Sequence, residues 1–543
     1  MTDPLAPRRG DSSLAFLTHP PAAPNQPMVN VAVPSAGPPT ELPPTELPLA
    51  TALREPPEQL LLPLANIAGA PPPFKVRIEA HDRVFVNRDL NLSNIDWLGF
   101  DMDYTLAIYH QQALDELSVQ LTVDRMIEAG YPRFLRQIRY DTRFPIRGLL
   151  VDKRFGNVLK MDRFKGVYKG YHGLQPLDAQ QLHELYFETK VRPHTPRYHW
   201  IDTLFSLSEV TSYAAIVDAL ERHGSRIDYG TVFEDVRKSI DAAHRDGDFY
   251  ANVTKDLSRY VQRDEDLEAT LHKFRSAGKK LFLLTNSPWS YTDTLMTHLL
   301  DSRRKEYSTW RHYFDAVVVA AQKPAWFRDG RALMERDREV LKDAAGRIER
   351  GRVYEGGNLT EFERLLGIRG ARVLYVGDHI YGDILRSKKE STWRTAMIIQ
   401  ELGAELSAHT SCSARFSRLR ELDASRGRLE DDLRFYQARF RRYPKSSSDA
   451  ALSLERARIK RAIATIREEL RAIEREHQGV AKAVDAAFHP YWGSLLKEAG
   501  EQSSFGVQVT TYADVYMRSV SSLRHYSPLQ HFRSPRDLMP HEL

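Results

Sequence analysis

The chain has 543 residues, of which 42% are hydrophobic and 27% charged, a size and composition typical of a globular protein of two to four domains. Lys and Arg number 77 against 72 Asp and Glu, and this excess is too small to indicate a nucleic acid as the main partner. No stretch approaches the roughly 18 apolar residues of a membrane-spanning helix, and the single cysteine, Cys412, excludes an intrachain disulfide framework or a cysteine zinc site.

The first 73 residues differ in composition from the rest of the chain. They hold 18 of the 30 prolines, and Pro-Thr-Glu-Leu-Pro occurs at 39–43 and again at 44–48. Because proline fixes φ and removes an amide donor, we predict a disordered leader at 1–73, with docking on a proline-reading partner as the alternative. The leader lacks the basic and apolar regions of a secretory signal, so we expect a cytoplasmic protein with no membrane partner.

Residues from about 82 to 400 have the pattern of an α/β fold with a parallel sheet. Four apolar runs each end in polar residues: Trp97–Phe100, Leu281–Leu284, Ala316–Ala320 and Val373–Val376. Such runs are typical of parallel strands covered on both faces, and ligands gather at their carboxyl ends. We predict a catalytic core made of 82–114 and 275–411. The segment 115–274 is longer than one crossover helix requires, so we predict an inserted cap domain there.

The last part of the chain, 412–543, is predicted to contain a helical hairpin and a segment that packs on the core. Apolar residues recur every three or four positions, as on amphipathic helices: Leu419, Leu422, Leu429 and Leu433, then Ile459, Ile463, Ile466, Leu470 and Ile473. A turn is predicted at Pro444–Ser448. The sequence leaves open whether the hairpin packs on the core or forms an oligomer contact.

The polar residues after the first run indicate phosphoryl chemistry. Asp101 and Asp103 are separated by one residue, so their carboxylates lie on one side if the strand geometry continues. Close carboxylates repel unless a cation relieves them, and Mg²⁺ prefers such ligands. A carboxylate can also attack phosphorus and form an aspartyl-phosphate.

The residues after the other three runs strengthen this interpretation. Thr285, Asn286 and Ser287 offer hydroxyl and amide groups for phosphate oxygens, and Lys323 offers a cation. Asp378 and Asp383 offer two further carboxylates for a metal ion. A glycosyltransferase would explain the Asp-x-Asp triplet but not the other residues. Each residue taken singly has an ordinary structural explanation, and the prediction depends on all of them following strands in order.

These motifs resemble those of the haloacid dehalogenase (HAD) superfamily of phosphohydrolases, and within it the cytosolic IMP/GMP-specific purine 5′-nucleotidases. The matching segments are Gly99–Ala107, Phe144–Gly148, Gly156-Asn157, Leu159-Lys160, Thr203–Phe205, Thr285–Ser287, Tyr291–Asp293, Tyr375–Leu385, Ser387–Lys389, Tyr512–Asp514 and Leu538–Glu542. The resemblance runs from about residue 85 to the carboxyl end and does not cover the leader. It implies an HAD-type, Rossmann-like core sheet with the cap inserted between the first two motifs.

The resemblance also implies roles for individual residues. Asp101 is the nucleophile, Asp103 the acid/base, and Lys323 assists catalysis. The implied metal is Mg²⁺, held by Asp101, the main-chain carbonyl of Asp103, and Asp378, with Asp383 in support. The implied substrate-binding residues are Arg197, Asp202, Thr285, Asn286, Ser287 and Lys323.

Members of this family have an activating nucleotide site, which implies the same here. The matching positions are Arg147, Asn157, Tyr381, Lys389, Gln508 and Tyr512. Arg147 and Lys389 offer cations for a polyphosphate. Tyr381 replaces the common phenylalanine, and Pro288 stands where an acidic residue is typical, so base preference and regulation are open.

The sequence thus predicts a Mg²⁺-dependent enzyme that hydrolyses purine nucleoside 5′-monophosphates, transfers phosphoryl groups to nucleosides, and forms a homo-oligomer. One alternative is an HAD phosphatase for another phosphomonoester. The other is a catalytically silent nucleotide-binding scaffold, although Asp101, Asp103, Lys323 and Asp378 are all present.

Overall fold

The computed structural model describes residues 78–188, 191–300, 304–328, 330–337, 340–344, 346–443, 449–536, 539 and 542. The predicted leader, 1–73, and the predicted turn at Pro444–Ser448 lie outside the described residues. Of the helices formed by the described residues, none is both long and apolar enough to cross a membrane.

Strands and helices are mixed along the chain. The strands are β1 (Phe85–Val86), β2 (Leu90–Asn91), β3 (Trp97–Phe100), β4 (Ile108–Tyr109), β5 (Leu149–Asp152), β6 (Asn157–Met161), β7 (Val167–His172), β8 (Gln175–Pro176), β9 (Tyr198–Ile201), β10 (Val261–Gln262), β11 (Lys280–Leu284), β12 (Ala316–Val319), β13 (Leu333–Asp337), β14 (Val340–Asp343), β15 (Val353–Gly356), β16 (Val373–Gly377), β17 (Arg394–Ile398), β18 (Lys497–Glu498), β19 (Glu501–Gln502), β20 (Val515–Met517) and β21 (His531–Phe532). The helices are α1 (Gln111–Glu128), α2 (Ala179–Leu182), α3 (Leu207–Arg222), α4 (Tyr229–Arg245), α5 (Asp248–Lys255), α6 (Leu257–Tyr260), α7 (Leu267–Ser276), α8 (Trp289–Leu299), α9 (Leu359–Leu366), α10 (Arg386–Glu390), α11 (Leu402–Ser411), α12 (Ser413–Arg442), α13 (Ala450–Phe488) and α14 (Ser504–Tyr512).

A ten-stranded sheet positions the strand ends that carry the predicted motifs. Its order is β1-β20-β17-β16-β3-β11-β12-β15-β13-β14, and the seven strands from β20 to β15 are parallel to one another. The four predicted apolar runs are β16, β3, β11 and β12, which are adjacent in that order. The predicted α/β class with a parallel core sheet is therefore confirmed.

Both faces of this sheet are buried, which explains why its strands have no polar face. Leu98 and Phe100 belong to one hydrophobic cluster, whereas Trp97 and Phe282 belong to another. Successive side chains of a strand point to opposite faces, so the two clusters cover the two sides.

The segment between β3 and β11 contains a sheet of its own. This second sheet has the order β8-β7-β6-β5-β9, all antiparallel. Helices α3 and α4 follow it, and α4 begins after Asp228, whose carboxylate accepts a hydrogen bond from the Thr231 amide at 2.9 Å. The division of the chain into a core and a cap stays a prediction.

The carboxyl-terminal part contributes to the central sheet and also forms two long helices. Strand β20 lies between β1 and β17, and the buried carboxylate of Asp514 just before it accepts hydrogen bonds from Lys388 and from the Thr395 amide. The two periodic stretches predicted as helices lie in α12 and α13, which are antiparallel and are linked by an Arg418–Glu476 ion pair of 2.7 Å.

Gly99 allows the central strands to pack on a phenyl ring. It is opposite Phe282 in the parallel register of β3 and β11. A Cβ at position 99 would lie 2.1 Å from the Phe282 ring, which is closer than carbon atoms approach. The ring thus fills the volume that a side chain at position 99 would need.

We predict that Gly99→Ala lowers the free energy of unfolding by about 3 kcal/mol or more, because buried β11 has no free volume for the displaced ring. Gly427→Ala is the matched control. A Cβ there meets no atom within 4 Å, and alanine favours the helix over glycine by about 1 kcal/mol. Urea unfolding of both variants tests this, and equal midpoints for the two would contradict it.

Candidate active site

Four parallel strands bring polar side chains to one edge of the central sheet. Asp101 follows β3, and its amide donates a hydrogen bond to the Val376 carbonyl at 2.9 Å. Thr285 follows β11 and donates in the same way to the Val318 carbonyl at 3.0 Å. Sheet pairing therefore continues to the first residue of each motif and fixes the starting point of each loop.

Three carboxylates share a small volume at this edge. Asp101, Asp378 and Asp383 are buried, and each offers an oxygen that lies within 4.8 Å of the others. Burial raises the pKa of Asp378 to about 7 and the pKa of Asp101 well above its usual range. Among the described residues, Asp378 Oδ2 has no hydrogen-bond partner. A buried set of carboxylate oxygens with one unsatisfied fits a hard divalent cation.

Lys323 supplies a positive charge to the same cluster. Its Nζ lies 2.8 Å from Asp101 Oδ1 and 2.6 Å from Asp383 Oδ1, and it donates a hydrogen bond to the Tyr375 hydroxyl at 2.9 Å. Burial opposes its charge, but the two carboxylates raise the pKa of Lys323 well above its usual range. The lysine is therefore fully charged and placed beside the predicted nucleophile.

Asp103 is held by hydroxyl groups and lies apart from the carboxylate cluster. The Tyr109 hydroxyl donates to Oδ1 at 2.5 Å, and Ser287 Oγ donates to Oδ2 at 2.7 Å. Burial raises the pKa of Asp103, and these two hydrogen bonds oppose the rise. A carboxyl group fixed two residues from Asp101 is suited to proton transfer.

The loops after β11 and β12 are joined by the predicted phosphate-binding residues. The Asn286 amide donates to the Lys323 carbonyl at 2.9 Å, and Asn286 Oδ1 accepts from the Lys323 amide at 2.6 Å. The Thr285 hydroxyl accepts a hydrogen bond from the Ser287 amide at 3.1 Å, and Thr285 is fully buried. These contacts fix the position of Lys323 relative to β11.

A cavity of about 310 Å³ lies at the sheet edge and has two sides of different origin. The first consists of strand-end residues, namely Asp101, Asp103, Asn286, Ser287, Lys323, Asp378, His379 and Asp383. The second comes from the segment between β3 and β11, namely Thr203, Phe205, Glu209, Ile240, Asp241, His244 and Tyr250. Most of the second side was missed by sequence reasoning, because residues on α3, α4 and α5 have no motif that marks them. Only the fold brings them to the strand ends.

Two predicted substrate-binding residues are paired with other side chains. Asp202 lies 3.4 Å from Nε2 of His379, and although burial opposes the charge, Asp202 raises the pKa of His379 to about 9. Arg197 donates two hydrogen bonds to Asp152, at 2.8 and 2.6 Å, and is not among the residues lining the cavity. The structure thus brings Asp202 to the edge of the site and does not bring Arg197 into it.

The six predicted effector residues do not contact one another as one cluster. Within the described ranges, no hydrogen bond or ion pair joins any two of them. Arg147 is buried, with its guanidinium donating to Glu401 at 2.6 and 2.8 Å and to the Asp378 carbonyl at 2.8 Å. The Arg147 charge is thus paired with Glu401 at the start of α11 and contacts the loop after β16, and its role in binding a polyphosphate stays a prediction.

The other effector positions differ in their surroundings. Asn157 donates to the Tyr186 hydroxyl at 2.8 Å, whereas Tyr381 and Lys389 are exposed. Gln508 and Tyr512 lie on α14, which packs against the 380–385 segment that contains Tyr381. The carboxyl-terminal segment thus folds back against this loop, as a shared site requires.

Comparison with known proteins identifies the family. The sequence model of the 5′ nucleotidase family matches residues 84–543. The chain belongs to this family. The resemblance found in the sequence is confirmed at that level, and so is the prediction of an enzyme, a phosphomonoester hydrolase.

Two relatives are similar to this chain over most of their length. The 5′-nucleotidase domain-containing protein 2 of Rattus norvegicus is 32% identical over 478 residues, which cover 84% of this chain and 80% of the relative. The protein of the same name from Homo sapiens is 32% identical over 477 residues, covering 82% of this chain and 84% of the relative.

Solved structures show a weaker likeness. A predicted phosphoglycolate phosphatase from Haemophilus somnus 129pt is 12% identical and covers 56% of this chain and 85% of its own, with a TM-score of 0.25. A predicted phosphatase from Clostridium acetobutylicum is 12% identical and covers 56% and 84%, with a TM-score of 0.23. These TM-scores are too low to carry an argument, so the fold class of this 5′-nucleotidase family member is based on its own strand order.

Glu209 gives the far wall of the cavity a pH-dependent charge. Burial raises the pKa of Glu209 from 4.5 to about 7, although Arg237 lies 3.6 Å away. A raised pKa means that the folded state binds the proton more tightly than the unfolded state. The contribution of Glu209 to the free energy of unfolding therefore falls as the pH rises from 4.5 to about 7.

We predict that Glu209→Gln raises the free energy of unfolding relative to wild type at about pH 7.5 but not at about pH 5, by at most about 3 kcal/mol. Glu234→Gln is the control, because Lys153 lowers the pKa of Glu234 and its loss should destabilise at the higher pH. Urea unfolding at both pH values measures the two differences. A Glu209→Gln effect that is the same at both would contradict the assignment.

Proposed function

We propose that the protein is a Mg²⁺-dependent 5′-nucleotidase that hydrolyses purine nucleoside 5′-monophosphates of the IMP and GMP type through an aspartyl-phosphate. The observation that carries the proposal is the placement of Asp101 beside charged Lys323 and two further carboxylates, with Asp103 held separately by hydroxyl groups. Family membership supports the reaction class, and the choice of substrate is inferred from the resemblance of the motifs.

In the first step the Asp101 carboxylate attacks the substrate phosphorus, and the bond from phosphorus to the nucleoside 5′ oxygen breaks. Asp103, in its protonated form, gives its proton to that oxygen, so the nucleoside leaves as a neutral alcohol. The positive charge of Lys323, 2.8 Å from Asp101, opposes the rise in the pKa of Asp101 that burial causes, and it stabilises the transferring phosphoryl group.

In the second step the Asp103 carboxylate takes a proton from water as the water oxygen attacks the phosphorus. The bond to Asp101 breaks, and inorganic phosphate and the free Asp101 carboxylate are released. If a nucleoside 5′ hydroxyl replaces water, the same step transfers the phosphoryl group to the nucleoside. Competition between these acceptors is the basis of the proposed phosphotransferase activity.

The cation that fits this site is Mg²⁺, which Asp101, Asp378 and the main-chain carbonyl of Asp103 would hold, with Asp383 nearby. When bound it supplies positive charge that reduces repulsion between the phosphate and the carboxylates. The unsatisfied Asp378 Oδ2 supports this ligand set.

The segment 115–274 acts in this proposal as the cap that encloses the nucleoside. Residues such as Phe205 and Tyr250, on the far side of the cavity, offer aromatic surface to a base, and Glu209 and Asp241 offer hydrogen-bond acceptors. The homo-oligomeric state and the cytoplasmic location stay predictions from the sequence.

The proposal is tested by phosphate release from a panel of nucleoside monophosphates and other phosphomonoesters, with Mg²⁺ or with chelator. IMP and GMP should be the preferred substrates, and activity should require the metal. A clear preference for a phosphomonoester without a nucleoside would favour the alternative HAD phosphatase. Absence of turnover on the whole panel would favour the silent scaffold.

We predict that Asp101→Asn abolishes turnover, because an amide does not form the phosphoryl intermediate, and that Asp103→Asn lowers the rate by a factor of roughly 10²–10⁴. Asp124→Asn is the matched control, since Asp124 lies on the surface 3.2 Å from Arg136. Rates are measured with saturating substrate, and unfolding midpoints check the fold. More than a few per cent of wild-type rate in Asp101→Asn would rule out the covalent mechanism.

Activation by a nucleotide is the remaining part of the proposal. Because Arg147 holds the metal-site loop, exposed Lys389 is the informative position. We predict that ATP raises the rate at subsaturating IMP and that Lys389→Ala blunts the response without changing the basal rate. Lys388→Ala is not a suitable control, because Lys388 binds buried Asp514 at 2.7 Å; exposed Lys482→Ala is used instead. Identical rate curves with and without ATP at fixed free Mg²⁺ would contradict this.

A further inference from the structure

Helices α12 and α13 form an arm whose outer end differs from the rest of its surface. We call residues 413–423 and 477–488 the base of the arm, and 434–443 with 449–461 its tip. Base residues such as Phe416, Val484 and Phe488 line a cavity together with core residues such as Leu402 and Tyr516. From residue 423 to residue 434 the helix rises about 17 Å, so the tip begins about three helical turns beyond that contact.

Along most of the arm, apolar side chains pack between the two helices. Leu422, Ile459, Ile466 and Val484 are the buried apolar residues of α12 and α13. The large apolar side chains that remain exposed on the described arm are Phe435, Leu452 and Leu454, at 57%, 40% and 51%. All three belong to the tip. On the described arm, large exposed apolar side chains are therefore confined to the tip.

The tip is also strongly basic. Its described residues include eight Lys and Arg, which are Arg434, Arg439, Arg441, Arg442, Arg456, Arg458, Lys460 and Arg461, against two acidic residues, Asp449 and Glu455. This excess of six exceeds the excess of five for the whole chain. Seven of the eight are exposed, and Arg456 is half-buried over the Phe440 ring. The described tip thus has eight positive and two negative side chains, although Arg434 is paired with Asp431, which lies just outside the tip.

The basic and apolar groups of the tip are intermixed. Phe435 and Leu452 line one groove together with Arg439 and Arg442. Arg439 is fixed by an ion pair of 2.9 Å with Glu455 across the two helices. A partner for this surface must offer negative charge and an apolar phase within a few ångströms of each other.

We propose that the tip of the arm binds the surface of an anionic phospholipid bilayer, with Phe435, Leu452 and Leu454 inserted below the headgroups. Basic residues are attracted by anionic headgroups, and apolar side chains enter the acyl boundary beneath them. Membrane anchoring of this kind needs two signals, and the tip has both.

Other anionic partners fit the tip less well. The groove at the tip is lined by six residues, whereas a stable protein interface uses about 20–30 residues on each partner. Nucleic acids stack their bases on aromatic rings, which gives no use to the exposed Leu452 and Leu454. An anionic lipid surface offers contacts to both kinds of side chain, because the headgroups attract the arginines and the acyl chains accept the leucines. This proposal departs from the expectation, drawn from composition, that the protein has no membrane partner, and it does not depend on the proposed reaction.

Vesicle flotation of the purified full chain tests the proposal. At about 0.15 M salt, wild type should float with vesicles of phosphatidylcholine containing roughly 30 mol% phosphatidylserine and not with phosphatidylcholine alone. The charge variant Arg441→Glu/Arg442→Glu/Lys460→Glu/Arg461→Glu should bind at least about tenfold more weakly. The apolar variant Phe435→Ser/Leu452→Ser/Leu454→Ser should also bind at least about tenfold more weakly.

A charge-matched control separates the tip from the arm as a whole. The variant Arg420→Glu/Arg471→Glu/Arg475→Glu/Lys482→Glu reverses four exposed charges on the same helices outside the tip, and it should bind like wild type. All variants should keep wild-type helical content and the wild-type rate in solution. If the control loses as much binding as the charge variant, the assignment to the tip is wrong.

Insertion is tested by an environment-sensitive fluorophore. The only native thiol, Cys412, is buried, so Cys412→Ser/Phe435→Cys carries the label at the tip and Cys412→Ser/Ala424→Cys carries it elsewhere on the arm. The tip label should shift to the blue on anionic vesicles, and the second label should not.

Three results would overturn the proposal. The first is equal flotation of wild type on neutral and anionic vesicles, or none on either. The second is binding of RNA that is lost in the tip variants while vesicle binding is unchanged. The third is self-association that depends on the tip and excludes vesicle binding.

Discussion

The ion cluster around Lys323 is the interaction on which the arrangement of the sheet edge depends. Asp101, Asp378 and Asp383 place their oxygens within 4.8 Å of one another in a buried site, which is unfavourable for like charges. Lys323 Nζ lies within 2.8 Å of two of them and reduces the repulsion. The main-chain amide and carbonyl of Lys323 are both hydrogen-bonded to the Asn286 side chain. The residue that reduces the repulsion in the cluster therefore also joins the loops after β11 and β12. Lys323 therefore determines both the charge balance of the cluster and the relative position of the two loops.

Much of this edge was predictable from the sequence, because parallel strands end on the same side of a sheet. The apolar runs at 97–100, 281–284 and 373–376 mark strands buried on both faces, and the polar residues after them must then meet. The order of the strands was not needed for this prediction. The motifs themselves indicate the family, which the match over 84–543 confirms.

Long-range pairing set the limit of sequence reasoning. Arg197 and Arg147 were expected to meet nucleotides, but Arg197 pairs with Asp152 and Arg147 with Glu401, 254 positions further along the chain. No local pattern identifies such partners, because the position of a charged residue in the sequence does not indicate which residue of opposite charge it will contact. The cavity wall carrying Glu209 was missed for a similar reason, because the helical period identifies a face but not what that face meets.

The order of the central sheet has a consequence for synthesis of the protein. Strand β3 leaves the ribosome early, but its neighbours in the sheet are β11 and β16, and Phe100 is paired in register with Leu283 and Val376. At 5–20 residues per second, the chain between Phe100 and Leu283 takes roughly 10–40 s to synthesise. During that time the apolar strand WLGF has neither of its native neighbours and must be kept from other nascent chains. We infer that Asp101 reaches its position in the active site only after most of the polypeptide has been synthesised. A truncated translation product would therefore contain Asp101 but not the rest of the site.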